Sequence, residues 1–202
     1  MLFLVSSRSK TDDFIIKIAA LLHDIGKPAT YTEDDHGNGH FYGHPLVSHE
    51  ISKNVLSNRL RLSNEQYDEI LLLVMYHDMD LATTKKSVKK ALNKLGESTL
   101  RKWLILKLAD RKDHIGFSEE EICGDLNQIR EIIDNIIATK DCFTIKDLSV
   151  NGNDLINIGF KPGIELGNVL SQLLQMVIDG GENNKDTLLA IAASLKFNED
   201  GN

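Results

Sequence analysis

The sequence predicts an all-α fold, and three observations support this prediction. Apolar residues recur at helical spacing in several separate segments, and no run with the two-residue period of a β-strand reaches a useful length. Helix start signals precede these segments, and glycine or proline follows many of them. The 202 residues, of which 42% are hydrophobic and 26% are charged, have the composition of a globular protein with a substantial core.

The first predicted helix covers residues 14–22 and is apolar nearly all round. Asp12 or Asp13 can cap its N-terminus. Because almost every side chain of this helix is apolar, we expect the helix to be buried. A polar, glycine-containing loop follows over residues 31–39, and residues 35–39 suit a short hairpin.

The next helices carry N-terminal signals. Pro45 suits the first turn of a helix whose apolar residues are Leu46, Val47, Ile51, Val55 and Leu56. Ser63 with Gln66, and Ser118 with Glu121, form predicted capping boxes. The first box begins a helix that ends near residue 77, and the second begins a helix that reaches residue 137. The last third of the chain predicts helices near residues 151–157, 163–179 and 184–196, separated by glycines.

The segment LLHDIGKP (residues 21–28) places His23 and Asp24 at the end of the buried helix. A buried carboxylate is costly unless its charge is compensated. A divalent metal is one compensator, and an imidazole with a carboxylate suits Zn, Mn, Fe, Co or Ni, so the ligands do not name the metal. For the dipeptide taken alone, a pair that only caps the helix or forms hydrogen bonds is the alternative.

Three further polar residues favour a metal site. His44 begins one predicted helix, His77 ends another, and Asp110 lies late in a helix that carries Trp103, Leu104 and Leu108. Each lies at a helix end or beside an apolar face, where an unpaired polar group would be expensive. Together with His23 and Asp24, these residues predict a divalent metal site.

The order His-Asp, His, His, Asp on successive helices resembles the HD superfamily of metal-dependent phosphohydrolases. The segments IAALLHDIGKP (18–28) and HFYGHPLVSHEI (40–51) resemble the HD domain in the C-terminal part of bacterial tRNA nucleotidyltransferases (CCA-adding enzymes) and their poly(A) polymerase relatives. Further on, DLSVNGNDL (147–155) and GFKPGIELG (159–167) are similar to the tail of the same enzymes. The resemblance implies an HD domain over residues 1–140 and a helical tail domain over residues 141–202.

The resemblance also implies an activity, the metal-dependent hydrolysis of a phosphate ester or nucleotide. Phosphomonoesters and 2′,3′-cyclic phosphodiesters, including those at RNA ends, are the substrates it suggests, and Mg joins the possible metals. His23, Asp24 and Asp110 would bind a first metal, and His44 and His77 would bind a second metal or orient the substrate. Asp24 would bridge two metals or hold the attacking water.

Other polar residues are weaker candidates for the site. Lys27 follows the metal pair and suits contact with a phosphate oxygen as a point charge, which makes it a catalytic and substrate-binding candidate. His114 lies four residues after Asp110 on the same helical face; it is a candidate substrate contact, and a surface histidine is the alternative. His36 and His40 lie in the polar loop and are candidates for a cleft mouth, but solvated loop residues are the favoured alternative. Asp78 is either a hydrogen-bond acceptor behind His77 or a helix-end charge.

The sequence departs from the family pattern in two ways, and the second departure, together with a lysine-rich helix, favours a second hypothesis. The nucleotidyltransferase head of the family carries a Gly-Ser motif and a pair of metal-binding aspartates, and these 202 residues contain nothing like it. We therefore expect no nucleotide addition by this chain. HD proteins usually supply one more histidine upstream of the HD helix, and no histidine precedes His23. The alternative is a non-catalytic RNA-binding or tRNA-binding body-and-tail module.

The net charge of −7 argues against a surface that binds nucleic acid throughout. One predicted helix carries five lysines, Lys85, Lys86, Lys89, Lys90 and Lys94. Lys86, Lys90 and Lys94 recur every four residues and so lie on one face of the helix. A row of positive charges suits contact with a phosphate backbone, which makes Lys86 and Lys90 candidate RNA contacts. A solvated helix face is the favoured alternative, because no aromatic residues are interleaved with the lysines.

Cysteine content and the first residues predict the cellular location. Cys123 and Cys142 form no C-x-x-C pattern, which indicates two reduced thiols in a cytosolic protein. The apolar residues 1–5 are too few to span a membrane and lack the basic region of a signal peptide. We expect a cytoplasmic protein without a membrane partner, and the sequence leaves its oligomeric state open.

Overall fold

The structure is a computed structural model, and it describes residues 13–111 and 119–199. In chain order, its helices are α1 (Phe14–Leu22), α2 (Lys27–Thr30), α3 (His44–Arg59), α4 (Asn64–Tyr76), α5 (Lys85–Arg111), α6 (Glu119–Ala138), α7 (Gly152–Asn157), α8 (Ile164–Ile178) and α9 (Lys185–Glu199). Within these ranges, the one sheet is an antiparallel hairpin of β1 (Thr32–Glu33) and β2 (Gly39–His40), in the loop where a hairpin was expected. The predicted all-α fold is confirmed.

The helix boundaries follow local capping chemistry. Asp13 caps α1, because its Oδ1 accepts hydrogen bonds from the backbone N–H groups of the second and third residues of the helix. Ser63 and Gln66 form the predicted capping box of α4, with hydrogen bonds of 3.3 Å and 3.1 Å. The capping box predicted at Ser118 lies outside the described residues.

The expectation that α1 is buried all round is wrong for one of its faces. Ile16 and Ala19 are fully buried, and α1 packs against α4. Phe14 and Leu21, however, are 45% and 49% exposed. These two residues are seven positions apart and therefore lie on one face of the helix. Packing covers the face that meets α4 and leaves this other apolar face at the surface.

The buried face of α3 is more polar than its apolar residues suggest. His44, Ser48, Ser52 and Leu56 are buried at successive four-residue steps, whereas Leu46 is 55% exposed. Small serines let neighbouring backbone approach closely. The N–H of Gly26 donates to Ser48 Oγ at 2.9 Å, and a Cβ on Gly26 would lie only 2.6 Å from the Ser48 backbone nitrogen. This close approach brings the chain after His23–Asp24 against the start of α3.

One compact unit contains α1 to α4 and the later part of α5. It runs as far as Leu81 and resumes over Leu95–Arg130. Helix α4 packs against both α1 and α3, and Trp103 of α5 is buried with its indole N–H donating to the carbonyl of Tyr76 at 2.7 Å. This hydrogen bond fixes the C-terminus of α4, where His77 follows.

A second compact unit contains Ala82–Lys94 and the chain from Glu131 onward. Helices α7, α8 and α9 match the three helices predicted for the last third and bury a core that includes Leu155, Phe160 and Leu173. The first asparagine of the NGND segment, Asn151, forms a capping box for α7 with Asp154.

The boundary between the two compact units does not lie at residue 140. Residues 82–94 belong with the second unit, and α5 is interrupted at Gly96, whose backbone angles of φ 75° and ψ 163° are not helical. The assignment of an HD domain and a tail domain with a boundary at 140 stays a prediction. In the part of the chain that the structure describes, no helix is long and apolar enough to cross a membrane.

Candidate metal centre

Four helix ends supply the side chains of the candidate site. His23 is the residue that ends α1, His77 ends α4, His44 is the first residue of α3, and Asp110 is the second-last residue of α5. The three histidines are buried. The structure therefore brings together the five residues that the sequence predicts as metal ligands, including Asp24, which directly follows His23.

A hydrogen bond of the same type orients the ring of each of the three histidines. Nδ1 of His23, His44 and His77 lies 2.9, 2.9 and 2.8 Å from the backbone carbonyl three residues earlier in the chain. A carbonyl oxygen only accepts, so each Nδ1 carries a hydrogen, and Nε2 presents a lone pair whenever the ring is neutral. Metal-binding histidines commonly have this arrangement, because the outer hydrogen bond orients the ring.

Asp24 lies between two groups of potential ligands. Its Oδ1 is 3.4 Å from His44 Nε2 and 3.6 Å from His77 Nε2, and its Oδ2 is 3.3 Å from His23 Nε2. Asp110 Oδ1 is 3.6 Å from the same nitrogen of His23. In each group, His23–Asp24–Asp110 and Asp24–His44–His77, the potential ligand atoms lie within 4.8 Å of one another.

The donor set fits a divalent cation. His44 Nε2 and His77 Nε2 are only 3.0 Å apart, and because Nδ1 of each ring lies against a carbonyl, the two Nε2 atoms would face each other with lone pairs when both rings are neutral. Among the described residues, His23 Nε2 and Asp24 Oδ1 are buried polar atoms without a hydrogen-bond partner. Unsatisfied buried polar atoms cost free energy, and a cation bound in place of the His23 proton would satisfy these atoms together.

For His23, Asp24 and Asp110, the charged groups nearby outweigh the effect of burial on the pKa. Burial lowers the pKa of His23, but the nearby carboxylates of Asp110 and Asp24 outweigh this and raise it to about 9. Burial raises the pKa of Asp24, but the nearby His23 and His77 rings and the hydrogen bond from Lys27 hold it well below its usual range. The pKa of Asp110 is lowered as well, since its contact with His23 outweighs burial. Burial lowers the pKa of His44, which favours the neutral ring that binds metals.

An open cavity of about 580 Å³ leads to this centre. Lys27 lines it, and its Nζ lies 2.6 Å from Asp24 Oδ2. Of the two loop histidines, His40 lines the cavity and His36 does not. Asp78 also lines it but is 61% exposed and lies 3.5 Å from Lys107 Nζ, so it is a paired charge at the end of α4. The candidate substrate contact His114 lies outside the described residues.

Sequence reasoning missed two residues that support the site. Ser48 binds the N–H of Gly26, and Lys107 Nζ donates to the carbonyl of His77 at 3.3 Å. The spacing of His44, Ser48 and Ser52 was a usable signal, because small residues four apart indicate a helix face that another backbone can approach closely. Nothing in the local sequence around Lys107 indicates its partner.

The lysine-rich start of α5 is paired with acidic residues of the same unit. Lys86 Nζ and Lys90 Nζ lie 3.1 Å and 3.2 Å from Asp179 Oδ1. Lys85 and Lys89 both lie beside Asp141. The two candidate RNA contacts thus share one carboxylate, which offsets part of their charge. RNA contact by Lys86 and Lys90 stays a prediction.

Comparisons with known proteins agree with the resemblance seen in the sequence. The chain is 28% identical over 171 residues to an A-adding tRNA nucleotidyltransferase from Deinococcus radiodurans, a match that covers 84% of this chain and 39% of that protein. It is also 28% identical over 171 residues to a CC-adding tRNA nucleotidyltransferase from Thermus thermophilus, covering 84% of this chain and 37% of the relative. The chain thus spans about two fifths of the length of these curated relatives. No solved structure matches it.

A family model described as the HD domain matches residues 3–115, which is more than half of the chain. The matched range contains all five residues of the two ligand groups. The chain belongs to the HD domain family.

Proposed function

We propose that this chain is a divalent-metal-dependent phosphohydrolase that acts on phosphomonoesters or phosphodiesters, including 2′,3′-cyclic phosphates and RNA ends. One observation carries the proposal: three histidine Nε2 atoms and the Asp110 carboxylate converge on Asp24, and two of the buried atoms in this cluster have no hydrogen-bond partner among the described residues. Membership of the HD family supports it.

The two oxygens of Asp24 divide the ligands into two sets. His23, Asp110 and Asp24 Oδ2 would hold one cation, and His44, His77 and Asp24 Oδ1 would hold a second. A divalent cation supplies a polarised phosphoryl oxygen and a bound water of lowered pKa. The carbonyls behind the three rings keep each Nε2 aimed at the centre, and the side chains of Asp24 and Asp110 supply negative charge that neutral imidazoles lack.

Lys27 is placed to bind the phosphate. Its side chain is 30% exposed at the cavity, and its ammonium group lies beside Asp24 Oδ2. An ammonium group has three donors, so Lys27 can keep one hydrogen bond to Asp24 while it donates another to a phosphoryl oxygen. We assign Lys27 to substrate binding and to stabilising the negative charge that develops on the phosphoryl group.

A non-catalytic tRNA-binding module is the second candidate. The relatives that support it are named A-adding and CC-adding tRNA nucleotidyltransferases, and this chain spans about two fifths of each. In this hypothesis the lysines of α5 would contact tRNA phosphates, and the histidine cluster would have a structural role.

The deciding experiment measures hydrolysis by the purified chain with added Mn, Co, Ni or Mg, and again with chelator. We expect turnover that requires metal and is lost in His23→Ala. His49→Ala is the matched control, because His49 pairs with Glu50 and belongs to neither ligand group. Activity that His23→Ala leaves intact would contradict the proposal. No turnover with any of the four metals, combined with salt-dependent tRNA binding, would favour the module.

A further inference from the structure

The C-terminal end of α4, which presents His77 to the metal centre, is capped by side chains of another helix. The last carbonyls of an α-helix have no partner within that helix. Here the carbonyl of Tyr76 accepts a hydrogen bond from the indole N–H of Trp103 at 2.7 Å, and the carbonyl of His77 accepts one from Lys107 Nζ at 3.3 Å. Both donors belong to α5, so α5 holds the residue at which α4 ends.

The same stretch of α5 carries a candidate ligand. Trp103, Lys107 and Asp110 follow one another at intervals of four and three residues, so they lie along one face of the helix. Lys107 and Asp110 line one cavity of about 280 Å³. His77 belongs to one of the two ligand groups and Asp110 to the other. The hydrogen bond from Lys107 to His77 thus connects the helix ends that supply the two groups.

Lys107 is packed against this helix end rather than extended into solvent. Its side chain is only 13% exposed. Its Nζ also lies 3.5 Å from Asp78 Oδ1, but Asp78 is 61% exposed, and solvent weakens an ion pair with an exposed partner. A largely buried ammonium group needs acceptors, so the His77 carbonyl is the stronger anchor. A positive charge also suits the C-terminus of a helix, where the helix dipole is negative.

Two hydrogen bonds determine where His77 Nε2 points. Nδ1 of the ring lies 2.8 Å from the carbonyl of Val74, which orients the ring, and Lys107 holds the backbone carbonyl of His77 itself. Nε2 then lies 3.6 Å from Asp24 Oδ1 and 3.0 Å from His44 Nε2. A shift of the His77 backbone would change both distances, and with them the geometry of one ligand group.

We infer that Lys107 is a positioning residue of the metal centre, although it contributes no ligand atom. Because it fixes the His77 carbonyl to the turn of α5 that precedes Asp110, it keeps the two ligand groups in register. The inference rests on the proposed function, since the cluster must bind metal, and it adds a residue that sets the metal affinity. Loss of a residue that orients a metal ligand typically lowers metal affinity about 10-fold to 100-fold.

The charge of Lys107 acts in the opposite direction. A positive charge near a divalent cation repels it, so removal of the ammonium group would by itself raise the metal affinity. Loss of the hydrogen bond to His77 would lower the affinity. We therefore expect a net loss at the lower end of the range, about 10-fold. The sign of the change distinguishes positioning from an effect of charge alone.

The test titrates Co²⁺ into the full chain and its variants without substrate, and follows binding by calorimetry and by the visible absorption of the bound ion. Lys107→Met keeps the length and the apolar stem of lysine but has no donor, so it should bind Co²⁺ about 10-fold more weakly and with a changed spectrum. Lys107→Arg keeps the charge and the donors and should restore most of the affinity. If Lys107→Met fails to fold, Lys107→Gln, whose side chain ends one bond short of the carbonyl, should show the same loss.

Lys102→Met is the matched control. Lys102 lies on the same helix, is 20% exposed and pairs with Glu69 Oε2 at 2.6 Å, and neither residue belongs to a ligand group. Its replacement should lower the free energy of unfolding but leave the cobalt affinity and spectrum unchanged. A merely structural role for Lys107 would give that same result in Lys107→Met.

The outcomes separate this inference from the proposed function. A cobalt affinity of Lys107→Met that equals or exceeds the wild-type value overturns the positioning role and leaves the metal centre standing. A wild-type chain that binds Co²⁺ but hydrolyses no phosphate ester refutes the hydrolase, and weaker Co²⁺ binding by Lys107→Met then still supports the positioning role. A wild-type chain that binds no Co²⁺ overturns both.

Discussion

Replacement of Gly26 by alanine should damage the metal centre without touching a ligand. A Cβ at this position would lie 2.6 Å from the Ser48 nitrogen and 2.7 Å from the His44 carbonyl oxygen, both of which are backbone atoms. Ordinary contact begins near 3.4 Å. The start of α2 and the first turns of α3 must therefore separate by about 0.8 Å to accept one methyl group.

Two costs follow from this separation. Overpacking of a well-packed contact costs about 1–3 kcal/mol. The Gly26 N–H also donates to the buried Ser48 Oγ, at 2.9 Å, and an additional 0.8 Å or so would break that hydrogen bond, at a cost of about 1–3 kcal/mol. We therefore expect Gly26→Ala to lower the free energy of unfolding by roughly 2–6 kcal/mol. The same displacement moves His44 away from Asp24 and should weaken metal binding.

Urea denaturation with and without metal measures both effects. Gly124→Ala is the matched control, because Gly124 lies in α6 and a Cβ there meets nothing within 4 Å. It should be neutral or slightly stabilising. Ser48→Ala removes the hydrogen bond without the overpacking and should give an intermediate loss. A Gly26→Ala protein with wild-type stability and wild-type metal-induced stabilisation would refute the packing described here.

Three further predictions concern titration, thiol reactivity and charge. Because the pKa of His23 is raised to about 9, a metal must displace the His23 proton at neutral pH. Metal affinity measured by calorimetry should therefore rise with pH up to about 9 and then level off. An affinity that does not change between about pH 6.5 and 9 would contradict this prediction. Burial raises the pKa of Cys142 to about 11, so iodoacetamide at pH 8 should label Cys123 first, as peptide mass spectrometry can show. Charge reversal at both Lys86 and Lys90 should weaken any tRNA binding and reduce its dependence on salt while leaving metal content unchanged; an unaltered tRNA affinity would assign these lysines to a solvated face.

Local sequence patterns determine much of this fold. Each cap depends on residues within four positions of one another, as in the Asp13 cap of α1 and the Ser63–Gln66 box of α4, so the sequence alone predicts them. The ligand residues were also predictable as a set, because imidazoles and carboxylates at the ends of apolar helices need partners.

Long-range contacts account for what the sequence did not predict. Whether Phe14 and Leu21 are covered depends on which helix packs against α1, and the hydrophobic pattern of α1 does not contain that information. The pairing of Lys86 and Lys90 with Asp179 joins residues about ninety positions apart. The buried serine face of α3 lies against Gly26, and although the four-residue spacing of the serines indicates a face open to close approach, it does not identify the segment that approaches.

The metal content of the purified chain is the most direct test of whether the cluster around Asp24 binds divalent metal. Inductively coupled plasma mass spectrometry would count metal ions per chain after incubation with Mn, Co, Ni or Zn and removal of the excess. We expect one to two ions per wild-type chain, the same number in His49→Ala, and a loss in Asp24→Ala, because Asp24 contributes to both ligand groups. A wild-type chain that retains no metal, or an Asp24→Ala chain that retains the full amount, would contradict it.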